Sequence, residues 1–113
     1  MSRTTPVLAL LAAFAGAAAQ AAPDLEALER RADHRAALSR QLRDVEVELY
    51  CDHPGQALSL MRQTRSDFVA SPDRAVSQGL REISEVIWHV RHGDTQQAIA
   101  MLEGARGRLN QEV

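Results

Sequence analysis

The sequence predicts an all-α protein: a duplicated helical hairpin that forms a four-helix bundle or a short helical array. Three observations carry that expectation. Ala37 to Phe68 aligns without a gap on Gln78 to Leu109 at an offset of 41 residues, pairing Arg40 with Arg81, Leu42 with Ile83, Asp44 with Glu85, Val45 with Val86, Gln56 with Gln97, Ala57 with Ala98, Arg65 with Arg106 and Phe68 with Leu109. Apolar residues recur three or four apart, the spacing of one helix face, and the alternation of a half-buried strand is almost absent. Turn-forming residues punctuate these runs at His53-Pro54-Gly55, Ser71-Pro72-Asp73 and His92-Gly93-Asp94.

Helix 1 is expected to start after Asp24, a good N-cap residue, and to run to about Tyr50, with Leu38, Leu42, Val45 and Leu49 along one stripe. Its first half, Leu25 to Ala37, lies outside the duplication and is a candidate arm toward a partner. Helix 2 begins near Pro54, a residue suited to the first helical turn, carries Ala57, Met61, Thr64 and Phe68 on one face, and ends around Ala70. Ser71-Pro72-Asp73 then offers a hydroxyl cap, a proline for the first helical position and a carboxylate for the positive end of helix 3. Val76, Leu80, Ile83, Ile87 and Val90 mark the buried face of that helix. Gly93 suits a left-handed C-cap, Asp94 suits the N-cap of helix 4, and Ala98, Leu102, Ala105 and Leu109 form the last stripe. Gly104 and Gly107 weaken helix 4 by roughly 1 kcal/mol each relative to alanine unless close packing explains them.

The repeat period exceeds that of tetratricopeptide units and approaches that of HEAT-type helix pairs, but two units are fewer than a solenoid needs. A closed antiparallel bundle or a dimer resolves that shortage.

Residues 1–21 read as an export signal. Arg3 supplies a positive start, Val7 to Ala19 is apolar, and Ala19-Gln20-Ala21 fits small-x-small cleavage. That apolar run is shorter than the roughly 20 residues a spanning helix needs, and no later stretch is apolar enough. The expectation is a periplasmic or secreted protein of residues 22–113, a single all-helical domain with repeats at about 37–68 and 78–109 and no membrane span. The formal net charge is −2, and the 13 strongly basic residues are all arginine. That balance does not match the basic footprint of a nucleic-acid binder.

Two stretches carry a family resemblance. Leu42-Arg43-Asp44-Val45-Glu46-Val47, with the turn before Gln56-Ala57, and Arg91-His92-Gly93-Asp94 followed by Gln97-Ala98 resemble the YfdX family of small exported helical proteins. The resemblance spans Ala37 to Leu109. It implies a non-enzymatic, stress-associated periplasmic protein with holdase-like activity, without catalytic residues.

The chemistry-bearing residues concentrate at the two hairpin turns. Cys51, Asp52 and His53 occupy the first, and His89, His92 and Asp94 flank the second. The repeat offset sets Cys51 opposite His92 and His53 opposite Asp94, so both turns are expected at one end of the bundle. His89 and His92, three apart on a helix, can ligate one ion, and a thiolate favours zinc or copper(I), so a metal set of His89, His92, Cys51 and His53 is one reading. The other is structural: both histidines lie off the apolar stripe, and a histidine near a helix C-terminus is stabilised by the negative end of the helix dipole. No cofactor is then needed. Cys51, the sole cysteine, is either an inert, partly buried thiol or the site of an intermolecular disulfide.

Trp88 is the only tryptophan, and it falls off the stripe of helix 3, as does its repeat partner Val47 on helix 1. Apolar groups at matching outward positions read as a contact surface for a homodimer or a protein client, or as packing under a neighbouring helix. The charges of Glu29 to Arg35 read as solvated helix surface. Ser39, Ser59 and Ser66 lack the context of a nucleophile. Two function classes follow: an exported interaction protein, or a periplasmic metal-binding or metal-sensing protein.

Overall fold

A computed structural model describes residues 5–111, with their side chains from residue 24 onward. Among the described residues there are four helices and no strand: α1 Thr5–Tyr50, α2 Pro54–Phe68, α3 Arg74–Arg91 and α4 Thr95–Gln111. The chain divides into two compact units, Met1–Arg31 and Ala32–Val113. In the first, Leu25 and Leu28 are exposed. The second holds the bundle. The expected export signal of residues 1–21, with cleavage at Ala19-Gln20-Ala21, lies outside the residues whose side chains are described. Among the described residues no helix is long and apolar enough to cross a membrane.

The duplication is written into the core. Leu38, Leu42, Val45, Glu46 and Leu49 of α1 are buried, and so are their aligned partners Gly79, Ile83, Val86, Ile87 and Val90 of α3. Ala57, Met61, Thr64 and Phe68 of α2 are matched in the same way by Ala98, Leu102, Ala105 and Leu109 of α4. Each hairpin therefore buries against the other the face that the other presents to it. One aligned pair packs closely: a Cβ placed on Gly79 would meet Leu38 Cδ2 at 3.3 Å. Full burial of one such aliphatic side chain stabilises by roughly 1.5–3 kcal/mol, so the shared pattern is the main source of stability.

Both hairpin turns are built alike. The N–H of Asp52 donates to Leu49 O (3.1 Å) and that of His53 to Glu48 O (2.8 Å), and 41 residues later Gly93 donates to Val90 O (3.2 Å) and Asp94 to His89 O (2.9 Å). These are the paired bonds that close a helix C-terminus with one residue in the left-handed region. That residue is Asp52 (φ 59°) in the first turn and Gly93 (φ 77°) in the second. Each turn then opens the next helix, since Ala57 donates to His53 O and Ala98 to Asp94 O. Asp94 also accepts from Gln97 N through its side chain, while His53 leaves its cap to the backbone and to Pro54.

The link between the hairpins is different. Asp73, not Ser71, is the N-cap of α3: its Oδ1 accepts from Ala75 N, and Ser71 Oγ accepts from Asp73 N. Pro72 therefore precedes the cap instead of entering the helix. Arg35 reaches across from α1 and grips the buried Asp73 carboxylate with two bonds, Nε to Oδ2 at 2.7 Å and Nη2 to Oδ1 at 3.1 Å. Other sequence expectations also shift. Helix α1 runs through Asp24, because the alanine-rich sequence before it is itself a strong helix former. Helix α2 stops at Phe68, two residues before Ala70. On α3, Leu80 is only half-buried, and Gly79 and Val86 complete the seam. No packing explains Gly107, which has open space at its Cβ position, and Gly104 meets only the Arg108 side chain at 3.7 Å.

Candidate interaction surface

Trp88 stands outside the core, 56% exposed, on a helix whose buried face is already filled by Ile83, Val86, Ile87 and Val90. One turn later His92 stacks on it, ring centroids 3.9 Å apart and planes 22° from parallel. His92 Nδ1 lies 2.7 Å from Trp88 O. A carbonyl oxygen only accepts, so Nδ1 carries the proton. His89 meets the indole edge-on at 5.2 Å. The indole is thus braced on its own helix, and an aromatic plate held in place loses little rotamer freedom when a partner covers it.

Val47, the aligned residue on α1, is 49% exposed. Tyr50, one turn further, is more exposed still, and its hydroxyl donates to Glu103 Oε1 of α4 at 3.0 Å. That bond to a carboxylate holds the phenol above its ordinary 10.0. The structure therefore leaves both members of the Val47/Trp88 pair at the surface.

The three candidate histidines face three different groups. His53 Nδ1 is 2.9 Å from Glu48 Oε2, His89 Nδ1 is buried 3.6 Å from Asp94 Oδ2, and His92 Nδ1 is committed to the Trp88 carbonyl. Among the described residues no group of three or more His, Cys, Asp and Glu side chains is gathered as an ion site. Cys51 is exposed, not partly buried, because it follows the last residue of α1 and precedes the left-handed Asp52 in a turn that leaves the core.

The two outer seams between hairpins differ in charge, which the sequence pattern alone did not reveal. Between α1 and α4, Glu46 forms a two-point pair with Arg106: Oε2 faces Nε, and Oε1 accepts from Nη2 at 3.2 Å. Burial pushes the Glu46 carboxyl above its ordinary 4.5, with the Arg106 charge opposing. Tyr50 and Glu103 complete that seam. Between α2 and α3 the aligned positions carry Ile87 in place of Glu46, Arg65 in place of Arg106, Arg91 in place of Tyr50 and Arg62 in place of Glu103. Arg65 Nη1 reaches Ser84 Oγ at 3.5 Å, which sets Arg65 on the flank of α2 that meets Ser84. Each hairpin also carries an open polar groove, lined by Gln41, Asp44, Leu60 and Asp67 in the first and by the aligned Glu82, Glu85, Met101 and Arg108 in the second.

No family model, curated protein or solved structure matches this chain.

Proposed function

We propose that this is an exported, non-enzymatic helical protein that acts through protein–protein contact, holding a client protein or a second copy of itself at an outer apolar surface. The observation that supports this reading most is Trp88. The duplicated core is complete without it, yet the indole is exposed and braced by His92 and His89. Tryptophan is enriched among the few residues that dominate binding energy at interfaces. The short motifs shared with YfdX add a context of envelope stress and holdase-like protection, in which neither cofactor nor catalytic residue is required. The test is suppression of light scattering from a heat-aggregating enzyme by the mature protein. Protection that is lost in Trp88→Ala and kept in His53→Ala supports the reading. Wild-type protein that protects no client and stays monomeric contradicts it.

A further inference from the structure

The seam between α2 and α3 holds an asymmetry that the duplication makes visible. Where the α1/α4 seam balances Arg106 with Glu46 and places Glu103 against Tyr50, the α2/α3 seam has kept or gained cations at the aligned positions and lost both carboxylates. Helical phase confirms the grouping. Arg62 and Arg65 lie on the flank of α2 that meets Ser84, whereas Asp67 faces the other way and bonds Gln41 of α1. On α3, Trp88 and Arg91 follow Ser84 by one and two turns on the same flank. Glu82 pairs with Arg108 of α4, and Glu85 joins the groove on that side. Arg62, Arg65 and Arg91 are exposed, and none of them pairs with a carboxylate among the described residues. The exposed Val69 adds apolar surface to the same flank, with half-buried Leu58 and Leu80 beneath.

We propose that the α2/α3 seam is a docking surface for an acidic segment of a protein partner. Glu or Asp side chains of that segment would pair with Arg62, Arg65 and Arg91, and an apolar side chain would lie on Trp88. Charge complementarity selects the partner, because a cationic seam on a chain of net charge −2 is a local inversion that repels basic and attracts acidic sequence. Arginine selects carboxylate, since its planar fork matches that group with two parallel bonds, and it stacks well beside an aromatic ring. This inference rests on the proposed interaction reading and deepens it.

The experiment uses the full mature chain and its only tryptophan as reporter. Two synthetic peptides of alternating glutamate and leucine-alanine pairs are titrated, one as written and one with every glutamate replaced by glutamine, beside vesicles of phosphatidylglycerol. The expected result is a blue shift of Trp88 emission with the glutamate peptide only. Affinity should fall about tenfold between about 50 and about 300 mM salt as exposed charge pairs are screened. The Arg62→Glu/Arg91→Glu variant should bind at least about tenfold more weakly. Both positions are exposed, and a far-ultraviolet spectrum and melting curve establish that the variant folds; the salt series on wild type stands independently. Equal binding of the two peptides, absence of binding by the glutamate peptide, or a shift produced only by the vesicles overturns the proposal. If Trp88→Ala abolishes client protection while the doubly reversed variant retains it, the charge inference fails and the interaction reading survives.

Discussion

The matched turns give an internal control for backbone strain. Asp52 and Gly93 occupy the same left-handed position in two turns with the same hydrogen bonds, and they differ in having or lacking a Cβ. A left-handed conformation disfavours L-residues by roughly 1–2 kcal/mol, with aspartate at the tolerant end. At Gly93 nothing lies within 4 Å of an added Cβ, so Gly93→Ala is a purely conformational change. It should destabilise by about 1–2 kcal/mol, or about 4–12 °C in Tm for a domain of this size. Asp52→Gly should go the other way by about 0.5 kcal/mol, because relief in the folded state is partly offset by the extra freedom glycine gives the unfolded chain. Gly107→Ala is the control. It also meets nothing within 4 Å, but it sits inside α4 at a helical φ, so the same chemical change should stabilise by about 1 kcal/mol. Urea denaturation followed by far-ultraviolet circular dichroism measures all three. A neutral or stabilising Gly93→Ala, or a Gly107→Ala as harmful as Gly93→Ala, refutes the reasoning.

Three further outcomes follow. Asp73→Ala removes both the cap of α3 and the carboxylate gripped by Arg35, and should cost about 3–4 kcal/mol in urea unfolding, whereas Asp73→Asn keeps the cap and should cost about 1 kcal/mol less; equal losses contradict the double role. Glu46 has a folded pKa above its unfolded one, so the fold binds its proton more readily than the unfolded chain does. The stability it contributes is complete below pH 4.5 and lost as pH rises through the raised value, so wild type should gain on Glu46→Gln between about pH 7 and pH 4, and a wild type that holds level with or loses to the variant over that range contradicts this. Leu42→Ala, at a fully buried position of the seam, should cost about 2–5 kcal/mol by calorimetry, against less than about 0.5 kcal/mol for a change at exposed Val69.

Much of this architecture was legible because one alignment constrained two hairpins at once. The stripes of α2 and α4 read from sequence are the buried residues of the structure, since an isolated amphipathic helix has one face to bury. On α3 the apolar pattern named Leu80 and passed over Gly79, because hydrophobicity does not register a glycine whose role is to let Leu38 approach. The aligned pair Leu38/Gly79 held that signal. The cap of α3 moved from Ser71 to Asp73 because a long-range partner, Arg35, fixes the carboxylate, and local propensity does not see across from α1. The same holds for the cationic seam: Arg62 and Arg91 are 29 residues apart in sequence and share a flank only once the neighbours of α2 and α3 are known. The exposure of Trp88 was legible from helical phase, and its bracing by His92 was not.

The most direct test of the account is a native mass spectrum of the untagged protein, recorded for wild type and Trp88→Ala. The account predicts a metal-free homodimer or retained client in wild type that disappears in the variant. A bare monomer in both, or a defined mass increment from one transition-metal ion that depends on His89 and His92, contradicts it.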